Sequence, residues 1–413
     1  MKRPKAKIYF RSGFIVVSIL AVGGLFFSFS GFRSWPTLSQ TLPPPSVPPQ
    51  SSEPAKVPFI VTHLATPEPV KAIYLTNWVA GTLARRDELI KLIDETELNA
   101  VVIDVKDYTG RLAWLPVDPE LLATGVGEKR IADIEGLINQ LHNKGVYVIG
   151  RISVFQDLFL AEKHPELAVK RASDGAIWRD RKGVAWLEAG NPKVWAYTAR
   201  IARESYARGF DELNFDYIRF PSDGDLTDIT YGYLVPPETR ADVLARFFKY
   251  LAEELGGIPA PRSIDLFGLV TVNHDDLGIG QVLERAEPYF DYICPMVYPS
   301  HYAAGFIGYP NPAEHPYEVT EYSLKSARQR LNFLSLLIPD SSTASSTVPV
   351  VVPTTITKYS AKLRPWLQDF DLGADYTAPM VQAEKRATYD IGLTSWMLWN
   401  PSNRYTRGAL ESY

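Results

Sequence analysis

Phe210-Asp211-Glu212-Leu213-Asn214-Phe215-Asp216-Tyr217-Ile218-Arg219-Phe220-Pro221 reads as a β-strand that stops short of a proline. Apolar Leu213, Phe215 and Tyr217 alternate with Glu212, Asn214 and Asp216, which is the two-residue period of a strand. A strand with one face in water usually carries Lys, Thr or Ser on that face. Here it carries an acid, an amide and a second acid. If the strand is central, these groups point into protein and need partners or a task. Where it sits among its neighbours therefore decides both fold and function.

On either side, short apolar runs alternate with amphipathic stretches. Strands are expected at 72–76, 100–105, 146–151, 263–270, 290–297, 363–368 and 392–399. Helices are expected at 85–97, 131–143, 193–207, 237–255, 279–286, 320–331 and 378–388. The third of these is opened by Asn191-Pro192, a cap followed by proline in the first turn. Eight strands alternating with helices fit a (β/α)8 TIM barrel better than an open sheet. No G-x-G-x-x-G or G-x-x-x-x-G-K-[ST] follows a strand, so a nucleotide-binding sheet has no support. In a barrel every strand is interior and the active site lies at the C-terminal ends. The quoted strand is then fourth of eight. Glu212 and Asn214 lie toward the floor in structural roles, and Asp216 and Arg219 lie toward the mouth.

The chain has 413 residues, is 46% hydrophobic and carries a net charge of -4, so no broad basic surface argues for nucleic acid. One cysteine, Cys294, excludes an internal disulfide framework, and six histidines without a short-spaced pair give no zinc pattern. No metal or cofactor is expected. Lys2, Arg3, Lys5, Lys7 and Arg11 belong to a basic cytoplasmic tail over 1–12, and residues 13–32 form an apolar run of membrane-spanning length. The expected organisation is that tail, a transmembrane anchor over 13–32, a Pro/Ser/Thr-rich linker over 33–70, and an extracytoplasmic barrel over 71–413. A Ser/Thr-rich loop insertion is expected at about 339–357.

Every strand end carries polar or aromatic groups. They are Asn77 after the first, Asp104 with Lys106 on the second, and Gln156 after the third. Asp216 and Arg219 end the fourth, Asp265 lies on the fifth, and Tyr298 and His301 follow the sixth. Gln368 and Asp369 end the seventh, and Trp396, Trp399 and Asn400 end the eighth. Glycosidic cleavage needs two carboxylates, one to protonate the leaving oxygen and one to attack or activate water. Asp216 is the first choice for nucleophile or base, with Asp104, Asp265 and Asp369 competing as its partner. Arg219 is expected to orient Asp216 and to stand among the substrate-binding residues. Asn77, Gln156, Tyr298, His301, Gln368, Trp396, Trp399 and Asn400 are expected to line sugar subsites. Each also has a structural reading. Asp104 with Lys106 also reads as a buried structural pair closing the barrel mouth, and Asp216 with Arg219 as an ion pair fixing the strand end.

Five ordered motifs carry a resemblance. They are Gly150 to Asp157, Phe210 to Pro221, Pro295 to Tyr302, Arg364 to Phe370, and Trp396 to Pro401. Together the chain from Lys71 onward resembles the putative glycoside hydrolase domain family of unknown function (DUF4015). The resemblance implies a barrel related to sugar-cleaving enzymes, with no established substrate. The leading expectation is a membrane-anchored extracytoplasmic glycoside hydrolase acting on a polysaccharide. A non-catalytic carbohydrate-binding or scaffold barrel is the alternative. A metal-dependent hydrolase would require Asp104, Asp216 and His301 to converge.

Overall fold

A computed structural model of the chain describes residues 61–337 and 357–413. The expected anchor over 13–32 and nearly all of the expected insertion lie outside the described residues. Among the described residues, no helix is long and apolar enough to cross a membrane.

Eight parallel strands close into a barrel in sequence order. They are Lys71–Leu75, Ala100–Lys106, Tyr147–Ser153, Glu212–Asp216, Arg262–Phe267, Tyr292–Met296, Trp366–Gln368 and Trp396–Trp399. Closure comes from the first strand pairing with the last, Lys71 opposite Trp396. Helices fill the crossovers as expected of parallel strands. Pro192–Ala207 is capped by the Asn191 side chain, which accepts from the Lys193 amide, and Arg240–Glu254 opens with a Thr239–Asp242 capping box.

Some boundaries differ from expectation. The fifth strand stops at Phe267 because Gly268–Thr271 coils into a 3-10 turn. The expected helix at 279–286 shrinks to Leu283–Ala286, since Gly280 has a φ of 84° and interrupts it. The helix expected at 320–331 extends over Pro316–Leu337.

Alternation along the strands separates two cores. Leu213 and Phe215 point outward into the apolar layer beneath the helices, where both are fully buried. Burying one such side chain is worth about 1.5–3 kcal/mol. Tyr74, Val102, Tyr147, Ile149, Trp366 and Met397 form a second cluster inside the barrel. Glu212, Asn214 and Asp216 share that interior and are likewise buried. Residues 61–70, at the end of the expected linker, are tied to the barrel floor. Asp211 accepts from the Leu64 amide at 2.7 Å, and the Thr66 and Tyr147 hydroxyls lie 3.0 Å apart.

Candidate active site

The polar interior is layered along the strands. At the floor, Glu212 accepts from Arg364 Nη1 through both oxygens at 2.9 Å and from the Tyr147 hydroxyl at 3.2 Å. The Arg364 guanidinium stacks 3.7 Å from the Tyr292 ring. One layer up, Asn214 donates to Ser263 and to Asp265 Oδ1, both at 3.0 Å.

At the mouth, one cation serves three carboxylates. Arg151, on the third strand, donates to Asp104 Oδ1 at 2.6 Å and to Asp216 Oδ2 from both Nε, at 3.1 Å, and Nη2. Asp265 Oδ2 lies 3.9 Å from the same Nε. Burial works against the Arg151 charge, but Asp216 and Asp104 outweigh it and hold its pKa well above the ordinary guanidinium value. Asp104 also accepts from the Tyr74 hydroxyl at 2.5 Å. Burial nevertheless pushes its pKa up to about 6. Asp265 accepts from Trp366 Nε1 at 2.8 Å, and burial followed by the charge of Asp216 drives its pKa well above the carboxylate range.

A cavity of about 440 Å³ opens over this group. Asp216, Asp265 and Arg151 line it together with Tyr298, His301, Trp366, Trp399 and Arg219. Trp399 stacks on Tyr74 with centroids 4.0 Å apart and meets Trp366 edge-on at 5.6 Å. Gly268 also lines the wall. A Cβ there would stand 2.5 Å from the Met296 carbonyl and 2.7 Å from the Tyr302 hydroxyl, so a larger residue would displace the wall.

Arg219 does not hold Asp216, which corrects the expectation for this pair. After Asp216 the chain turns through Tyr217, whose φ is 50°, and Asp216 Oδ1 accepts from the Tyr217 amide at 2.5 Å. Arg219 instead donates to the Phe220 carbonyl and to Ser222 Oγ. Lys106 does not pair with Asp104 either. A bulge between these residues sets Asp104 against Arg151 and Lys106 against Ile152. Lys106 then leaves the interior face and salt-bridges Asp157 at 2.6 Å.

Other expected site residues lie outside the cavity lining. Asp369 accepts from the Thr406 hydroxyl at 2.6 Å and amide at 2.8 Å, tying down the C-terminal segment. Asn400 donates to the Arg404 carbonyl and Asn77 accepts from Arg130 at 3.3 Å. Gln156 donates to Asp180 at 3.0 Å, and Gln368 accepts from the Ser300 hydroxyl at 2.8 Å. Trp396 faces the outer layer and donates to the Tyr389 hydroxyl. Arg151, Tyr74 and Trp366 were not among the expected site residues. Strand parity offered the signal, since Arg151 shares its face with Tyr147 and Ile149. Among the described residues, no group of three His, Cys, Asp or Glu is placed to hold a metal ion.

The chain belongs to the family described as "Putative glycosyl hydrolase domain", matched over residues 72–405. A search of the curated proteins finds no match. Among solved structures, a hypothetical protein from Ruminiclostridium thermocellum is 31% identical, with 50% of this chain and 98% of that one covered and a TM-score of 0.43. The PgaB (BpsB) glycoside hydrolase domain from Bordetella bronchiseptica is 11% identical, with 83% and 99% covered and a TM-score of 0.55. At that identity the second likeness shows the fold alone.

Proposed function

We propose that this member of the glycosyl hydrolase domain family is a membrane-anchored extracytoplasmic glycosidase acting on a polysaccharide, with Asp216 as nucleophile or base and Asp265 as proton donor. The observation that carries this reading is the unequal treatment of two carboxylates over one cavity. Asp216 is salt-bridged to Arg151, whereas Asp265 has its pKa driven well above the carboxylate range. A carboxyl that keeps its proton beside a salt-bridged carboxylate suits the division into acid and base roles. Their Oδ2 atoms both lie within 3.9 Å of Arg151 Nε, so they stand no more than about 7 Å apart, below the widest separations of glycosidase pairs.

In this reaction Asp265 gives its proton to the glycosidic oxygen as the bond to the anomeric carbon breaks. Asp216 either takes a proton from the water that bonds to that carbon, or bonds to it as an ester that water then cleaves while giving its proton back to Asp265. Tyr298, Trp366 and Trp399 offer aromatic surface to the sugar ring. A purely binding barrel would be favoured by carboxylates each closed on its own base. Here three share one guanidinium, and two of them line the cavity. The basic tail and apolar run over 1–32 support the anchored location.

The test is hydrolysis of a polysaccharide panel and of matched p-nitrophenyl glycosides. Asp216→Asn should lose about three orders of magnitude or more on both. Asp265→Asn should lose turnover on polysaccharides but keep much of it on the aryl glycosides, whose leaving group needs little protonation. Wild-type turnover in Asp216→Asn would sink the assignment.

A further inference from the structure

Arg219, relieved of the role expected for it beside Asp216, is left as a buried cation that forms no ion pair among the described residues. It is only 8% exposed, yet it lines the same cavity as Asp216 and Asp265. It rests among three rings, 4.6 Å from Phe267, 4.8 Å from Trp186 and 5.4 Å from Tyr217. Its polar contacts among the described residues are both made by Nη1, to the Phe220 carbonyl at 3.0 Å and to Ser222 Oγ at 3.1 Å.

The carboxylates whose charge reaches Arg219 are Asp216, Asp223 and Asp180; each has a partner other than Arg219, and Asp223 lines the same cavity. Asp216 is bound by Arg151, and Asp223 accepts from the Arg181 amide at 3.1 Å. Asp180 accepts from Gln156 at 3.0 Å and Trp186 at 3.1 Å. Among the described residues, none forms an ion pair with Arg219.

A buried guanidinium without an anion is costly. Contact with aromatic faces offsets that by about 0.5–2 kcal/mol each at most. The fork of Nε and Nη2 is the part of Arg that grips a carboxylate or phosphate with two parallel bonds. We propose that Arg219 receives an anionic substituent of the substrate, a carboxylate or phosphate borne by the sugar bound beside Asp216 and Asp265, and so selects acidic over neutral glycans. The proposal deepens the glycosidase reading and rests on it for the identity of the ligand as a sugar.

The test is side-chain nitrogen NMR of the full chain, following the Arg219 Nε–Hε resonance, assigned by its loss in Arg219→Gln. The probes are D-glucuronate, inorganic phosphate and D-glucose. Glucuronate or phosphate should shift the resonance saturably, and glucose at equal concentration should not. A shift by glucuronate alone points to a uronic carboxylate, and a shift by phosphate alone to a phosphate ester. The same titration followed on the Tyr298 and Trp399 resonances should weaken about tenfold or more in Arg219→Gln. Arg219→Lys keeps the charge but not the fork, and should retain part of the affinity. An equal response to glucose, or none to either anion up to roughly 50 mM, overturns the proposal. The readout is binding, so the two readings fail separately. A chain that binds the anion but cleaves no glycan loses the glycosidase reading alone. One that cleaves neutral glycans with Arg219 silent to both anions loses the anion site alone.

Discussion

Glu212 and Asp216 stand four residues apart on one strand, both face the barrel interior, and both meet an arginine, but the two arginines are shared out differently. At the floor, among the described residues, Arg364 pairs one to one with Glu212 through Nη1, while its Nε and Nη2 are buried without a hydrogen-bond partner. At the mouth Arg151 is divided among Asp104, Asp216 and Asp265. One positive charge cannot hold three ionised carboxylates in a buried site, so protons are retained there. Burial raises the pKa values of both Asp104 and Asp265, and the charge of Asp216 adds to the rise at Asp265. Balanced charge fixes a fold, and a deliberate excess of carboxylate leaves a proton to give away.

Breaking the mouth should have the largest effect. Arg151→Gln removes the cation that, among the described residues, all three carboxylates share, and kcat/KM should fall about 100-fold or more. Kinetics on whichever glycan wild type cleaves checks this, and an unchanged kcat/KM would show that the shared cation is not needed. Breaking the floor should act on stability instead. Glu212→Gln leaves Arg364 buried without its anion, at a cost of about 3–5 kcal/mol. Denaturant unfolding reads that loss, while turnover per folded molecule should hold.

A smaller effect sharpens the comparison with a carboxylate that has no cation partner among the described residues. Glu188 is 4% exposed, accepts only from the Gly232 amide at 3.0 Å, and burial pushes its pKa up to about 7. Its folded pKa exceeds its unfolded one, so the folded state binds more protons in between. The contribution of Glu188 is therefore most favourable below about pH 4.5 and is lost as pH rises to about 7. Glu188→Gln should flatten that loss. Relative to wild type it should gain about 1–3 kcal/mol at pH 8 compared with pH 4. Parallel unfolding curves at the two pH values would contradict this account.

Much of this contrast was legible in the sequence. The alternation over Glu212 to Asp216 placed three polar groups inside, and their order along the strand assigned floor and mouth. Parity held more than was drawn from it. Trp396 and Trp399 are three apart on one strand and must face opposite sides, and only Trp399 lines the cavity. Parity misled for Asp104 and Lys106, because the bulge that separates them exists only in the pairing with the third strand. The partner of Asp216 was also hidden. Arg219 is near in sequence, but the turn at Tyr217 carries it away, and Arg151 arrives from a neighbouring strand. Asp369 lies at a strand end as expected, and nothing local to it announces the contact with Thr406 that occupies it.

The most direct test of the account measures turnover and unfolding together in Asp216→Asn and Glu212→Gln. The account predicts opposite outcomes from two changes on one strand. Asp216→Asn should lose turnover and unfold within about 1 kcal/mol of wild type. Glu212→Gln should lose stability and keep turnover per folded molecule. Full turnover in Asp216→Asn, or a loss of turnover in Glu212→Gln at unchanged stability, would contradict the division of the barrel into a structural floor and a chemical mouth.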